Sequence, residues 1–102
     1  MAGESLRDLV DLLKEVNSER SLLDFIAALI KDRREAIAAE QRKPSNPYGP
    51  DAGGWENTSI EAFLEAAAAW AESTNFGLSQ GLQPDNPWKR FAVFLHCGKI
   101  CE

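Results

Sequence analysis

Near the C-terminus stand the residues with the most chemical reach: His96, Cys97 and Cys101, written H-C-G-K-I-C. Imidazole and thiolate are zinc ligands, and a thiolate beside an imidazole can be a nucleophile. A structural zinc ion takes four ligands, commonly as paired short spacings, and this group offers three. Adjacent residues on a helix diverge by about 100°, so His96 and Cys97 cannot face one ion or share one proton. Completing a zinc site would require a second copy. The two thiols are four apart on the expected helix, where parallel Cβ vectors suit a disulfide poorly, so both are read as reduced and packed as small apolar residues.

Carboxylates form the second group. Glu61, Glu65 and Glu72 share one side of an expected helix and could suggest acid–base work or a carboxylate-bound metal. A di-metal helical bundle needs inward carboxylates with a Glu-x-x-His pairing, and position 93, three before the single histidine, is valine. The three are read as a solvated stripe. No glycine-rich turn joins a strand to a helix to cradle phosphate, and no serine occupies a nucleophile elbow. No catalytic residue, metal site or cofactor is therefore assigned. Small-ligand or metal binding, or catalysis using Glu56, Glu65 and His96, is retained as the alternative.

Aromatic residues form the third group. Trp70 falls inside an expected helix and is assigned to the core. Trp55 and Trp88 each stand where a long loop re-enters a helix. They either cap the core edges or frame a shallow groove between the two loops, since aromatic anchors dominate protein–protein contacts. Tyr48, Glu56, Asn57 and Asp85 would then complete the candidate partner-binding set with Trp55 and Trp88.

Helices must position all of these. Leu6, Leu9, Val10, Leu13 and Val16 recur at three- and four-residue spacings, predicting a helix over about 5–16 that starts at Ser5 with Asp8 three residues on. Leu22, Phe25, Ile26, Leu29, Ile30, Arg33 and Ile37 predict a second over 19–42, capped by Ser18 or Ser21, with Asp24, Lys31, Asp32 and Glu35 mostly on other faces. Its last two turns are expected to project, offering Ile37 and Ala38 to a second copy. "KPSNPYGPDAGG" then carries three of the five prolines, which remove backbone donors and disfavour helix before them. Residues 43–54 are read as an exposed loop without regular structure.

Thr58 and Glu61 predict a capping box for a third helix over 58–74, with Ile60, Phe63, Leu64, Ala67 and Ala71 on its apolar face and Trp70 on the flank. Ala66–Ala69 would let a neighbouring helix approach closely. Asn75 or Gly77 can take the left-handed conformation that closes it, and a short extra turn is expected within 76–84. Asn86-Pro87 reads as N-cap and first residue of a fourth helix over 87–100, burying Trp88, Phe91, Ala92, Phe94 and Leu95. Gly98 weakens that helix or admits a close neighbour.

At 102 residues, 44% hydrophobic and 26% charged, the chain fits one globular domain spanning 1–102. Net charge is −5, and residues 44–102 hold three Lys/Arg against seven Asp/Glu. Such a surface is poorly suited to phosphate backbones, so nucleic acid is not an expected partner. No apolar run is long enough to span a bilayer, and "MAGESLRDL" lacks a signal-peptide core, so a cytoplasmic protein is expected.

"GWENTSIEAFLEAAAAWAE" followed by "NPWKRFAVFLHCGKICE" resembles the signature of a domain-of-unknown-function family of small bacterial proteins. There, Trp-Glu-Asn leads into a Phe-Leu-Glu-Ala…Trp helix, and the chain ends in a Trp…Phe-Ala helix with Lys-Ile-aromatic-Glu. The likeness covers residues 18–102 and falls on Trp55, Glu56, Asn57, Phe63, Leu64, Glu65, Ala66, Trp70, Trp88, Phe91, Ala92, Lys99, Ile100 and Glu102. The 43–54 insertion and Cys101, in place of an aromatic, depart from it. The resemblance implies a compact bacterial domain and brings no activity. The sequence reading is an all-α bundle of four helices acting as a non-enzymatic interaction module of accessory, regulatory or immunity type, with a protein partner or a second copy.

Overall fold

The computed structural model describes residues 8–47 and 49–101; expectations that fall on Ser5, Leu6, Tyr48 and Glu102 lie outside them. Four α-helices follow in order: α1 (Leu9–Lys14), α2 (Glu19–Arg42), α3 (Ile60–Thr74) and α4 (Pro87–Ile100), with 3-10 turns at Ala52–Gly54 and Leu78–Gln80. Among the described residues there is no strand, only an isolated bridge between Asp51 and Trp55. The all-α expectation holds.

Side-chain caps fix the boundaries. Asp8 is extended and accepts from Asp11 N–H at 2.9 Å, so α1 begins at Leu9 rather than near Ser5. Ser18 and Ser21 form a reciprocal box at the start of α2, each hydroxyl accepting from the other's amide at 3.0–3.2 Å. The box expected from Thr58 and Glu61 does not form. Ser59 caps α3 by accepting from Ala62 N–H at 3.1 Å, which moves Glu61 one position too early to reach back. Asn86 caps α4 as read, accepting from Lys89 N–H, and its amide also donates to Val16 C=O at 3.0 Å.

α3 packs most extensively on α4, while α1 and α4 both rest on α2. The centre is Val16, Phe25 and Ala92, with Leu22, Leu29, Ala36 and Trp55 around them. Ala66 and Ala67 are buried and Ala68 and Ala69 exposed, so half of the alanine run serves close packing.

Three apolar faces are rotated from the expected ones. On α2 the buried set is Leu22, Phe25, Leu29 and Ala36, leaving Ile30 and Ile37 exposed. On α3 it is Ala66, Ala67, Trp70 and Thr74, leaving Ile60 74% and Leu64 51% exposed. On α4, Trp88 and Phe91 are exposed rather than buried; Phe91 stacks on Phe94 at 5.6 Å, and Phe94 on Phe76 at 5.2 Å.

The end of α2 does not project freely. The loop after it folds back, and the Ala52–Gly54 turn rests on the helix. Gly53 and Gly54 take φ of 74° and 80°, which lets the chain reverse before Trp55. The second long connection closes α3 through Asn75 at φ 53°, and Gly77 continues it at φ 90°.

Candidate functional site

Trp55 is the residue around which the loop, α2, α3 and α4 meet. It is 4% exposed. Its indole Nε1–H donates to Asp32 Oδ2 at 2.8 Å, and Lys99 Nζ donates to the same oxygen at 2.8 Å. The Arg33 guanidinium carbon and Lys99 Nζ lie 5.1 and 5.5 Å from the indole centroid, within cation–π range. Phe63 of α3 stacks on the ring at 6.2 Å. Asp32 thus accepts one neutral and one charged hydrogen bond, and its charge compensates that of the buried Lys99.

The backbone after Trp55 is tied to the C-terminal end of α4. Glu56 N–H donates to Lys99 C=O at 3.0 Å. The Asn57 amide donates to Gly98 C=O at 2.9 Å and to Cys101 C=O, capping carbonyls that the helix leaves unpaired. Gly98 is required by its neighbour, because a Cβ there would stand 2.7 Å from the Phe63 ring. Upstream, the Glu40 carboxylate accepts from Ser45 N–H at 2.9 Å, from the Ser45 hydroxyl and from Ala52 N–H at 2.6 Å. The Ser45 hydroxyl first, and then these amides, hold the Glu40 carboxyl below its ordinary range.

Beside this clamp opens a cleft of about 420 Å³, lined by Leu29, Ile30 and Arg33 of α2, by Trp55, and by residues 57–60, Phe63 and Leu64 at the start of α3. Trp55 supplies a buried wall and Phe63 a half-buried one, whereas Ile30, Ile60 and Leu64 are exposed. Arg33 lies at its edge, Nη1 3.9 Å from Asp51 Oδ2 and without a hydrogen bond among the described residues.

The candidate residues read from sequence separate into two places. Trp55 and Asn57 line the cleft, and Glu56 is exposed next to them. Trp88, 39% exposed, and Asp85 lie at the opposite end of α4 from the Lys99 contact, eleven residues or about 16 Å along the axis from Trp88. The structure does not bring Trp55 and Trp88 to one groove; Tyr48 lies outside the described residues.

The alternative trio is likewise dispersed. His96 packs edge-on against Phe25 at 6.4 Å, and burial first, then the Lys99 charge, lowers its pKa against the opposing pull of Asp32. Glu65 is on the solvent side of α3. Cys97 and Cys101 are free thiols, and burial pushes Cys97 up to about 12, reinforced by a hydrogen bond with Cys101, so Cys97 is not a poised nucleophile. Among the described residues no three His, Cys, Asp or Glu side chains are grouped to hold a metal ion.

Sequence reasoning missed Asp32, placed on a polar face, and the pairing of Phe63 with Gly98. Asp32 stands seven residues after buried Phe25 and four before buried Ala36, so the helical period itself sets it on the inward face. Gly98 was marked as a point of close approach without its neighbour being identifiable.

Four helices, three of them clamped by one loop tryptophan, with an apolar cleft beside the clamp, define a small all-α domain. The chain belongs to the family of unknown function DUF7660, whose profile matches residues 18–102. No curated protein and no solved structure matches it. No described helix is long and apolar enough to cross a membrane.

Proposed function

We propose that this protein is a non-enzymatic interaction module whose cleft between α2 and the start of α3 receives an apolar segment of a protein partner. The carrying observation is that Ile30, Ile60 and Leu64 line one cleft yet remain exposed, while Trp55 and Phe63 beneath them are fixed by the fold. Clustered apolar side chains left in water gain roughly 25 cal/mol for each Å² that a partner covers. A rigid floor also lowers the ordering cost of binding.

Ligand or metal binding, or catalysis, at Glu56, Glu65 and His96 draws no support from the cleft, which none of the three lines. An accessory or regulatory role in the cytoplasm is part of this reading.

The test immobilises the wild type and Leu64→Glu as baits in a lysate of the source cell. The wild type is expected to retain a protein reproducibly, and the variant to lose it while keeping its far-ultraviolet circular dichroism. Equal retention by both baits would overturn the proposal.

A further inference from the structure

The exposed side of α2 carries a second regularity. Leu23, Ile30 and Ile37 are each more than 40% exposed and follow one another at intervals of seven residues. Seven residues fall about 20° short of two full turns, so the three form one nearly straight apolar stripe. It runs along the side of the helix turned away from Phe25 and Ala36, and through Ile30 it joins the cleft. Among the described residues nothing covers the stripe, since all three side chains remain exposed.

We propose that the stripe is covered by a second copy of this chain, the two α2 helices crossing antiparallel about a two-fold axis at Ile30. This rests on the reading of this face as a protein-binding surface and names the occupant. Two observations select a copy over an unrelated chain.

The triad reads the same in both directions: equal spacings on either side of Ile30 place Leu23 of each copy against Ile37 of the other and Ile30 against itself, the self-complementarity that a two-fold interface requires. The exposed charges of α2 are also divided along its length. Glu19, Arg20 and Asp24 in the first half carry one net negative charge, and Lys31, Arg34, Glu35 and Arg42 in the second carry two net positive. Antiparallel pairing sets the acidic half of each helix against the basic half of the other. Parallel pairing would set the basic halves side by side.

Sedimentation equilibrium of the full chain tests this, with wild type, Ile30→Glu and the exposed control Ala68→Glu. The wild type and Ala68→Glu are expected at twice the 11.3 kDa chain mass. Ile30→Glu, which brings two carboxylates together on the axis, is expected to weaken the dimer by about 100-fold or more, with unchanged circular dichroism. In a Cys101→Ser background, Ile30→Cys is expected to form an intermolecular disulfide on mild oxidation, because an axial residue meets its own counterpart, whereas Leu23→Cys alone is not.

A monomeric wild type at 100-fold above the micromolar range (about 0.1 mM) would overturn the second copy while leaving the partner-binding reading to the Leu64→Glu baits. A dimer indifferent to Ile30→Glu, or one cross-linked through Leu23→Cys alone, would overturn the antiparallel arrangement. Equal retention by wild-type and Leu64→Glu baits alongside an Ile30-dependent dimer would remove the cleft reading and retain the stripe.

Discussion

The two long connections of this domain are docked by opposite means. In the first, the loop supplies the anchor and the helices receive it: Trp55 inserts from the loop, and its indole N–H is taken by Asp32 of α2. In the second, the helix supplies the anchor and the loop receives it: Trp70 projects from α3, and its indole N–H is taken by Gln80 of the loop at 2.9 Å. The first docking is ionic, drawing in Asp32, Lys99, Arg33 and Glu40. The second is neutral at its centre: Thr74 Oγ1 donates to Trp70 C=O at 2.6 Å and accepts from Gly77 N–H at 2.8 Å, with Arg90 Nε donating to Phe76 C=O outside it. The inserted Trp55 ties α2, α3 and α4, whereas the second loop ties α3 to α4 alone, through Gln80 and Phe76. The cleft adjoins the first.

Substitutions can break this comparison at graded strength. Trp55→Ala removes a buried ring, its stacking on Phe63 and the indole donor, and should cost about 3–5 kcal/mol in urea denaturation. Trp88→Ala, at an exposed position, should cost under about 0.5 kcal/mol. Similar losses at both tryptophans would refute the division between anchor and surface.

Gly98→Ala should destabilise by about 1–3 kcal/mol, because the new methyl meets the Phe63 ring at 2.7 Å. That outweighs the gain of about 1 kcal/mol that alanine brings to an unobstructed helix. A stabilised variant would show that α3 and α4 are not in contact there.

In the second region, Thr74→Val deletes one donor and one acceptor and should cost about 1–2 kcal/mol, again from the denaturation midpoint. A loss exceeding that at Trp55→Ala would invert the ranking of the two regions.

The ionic region should also respond to acid. His96 has a lowered pKa, so the unfolded chain takes up a proton more readily than the folded one, and stability should decline as pH falls below about 6.5. Glu40, also lowered, contributes above its unfolded value near 4.5 and loses that contribution as pH falls through its folded value. Urea midpoints between pH 7.5 and 4 should fall steadily, and His96→Phe should flatten the upper part of that fall. A midpoint rising on acidification would contradict both assignments.

Much of the fold was legible, for reasons local to each segment. Asn86-Pro87, a serine cap at Ser18 or Ser21 and a left-handed closure at Asn75 or Gly77 depend on neighbours within a turn, and residue type narrowed each to one or two positions. Which apolar side chains are buried was less legible, because α2, α3 and α4 each carry more oily positions than one face can hold. Ile30, Ile60, Leu64, Trp88 and Phe91 are the surplus, and tertiary packing alone selects among them. The clamp was half visible: Trp55 and Asn57 stood out in the sequence, but Asp32 and Lys99 are 67 residues apart and meet only in the folded chain.

Trp55 is committed to the fold through Asp32, and a double-mutant cycle tests that bond directly. Trp55→Phe keeps an aromatic ring and deletes the indole donor; Asp32→Asn keeps an acceptor and deletes the charge. Measured by urea denaturation, the pair should show a coupling of about 1–2 kcal/mol, since the indole–carboxylate bond is absent from either single variant. Additivity within about 0.3 kcal/mol would contradict the clamp, leaving Trp55 buried without being held.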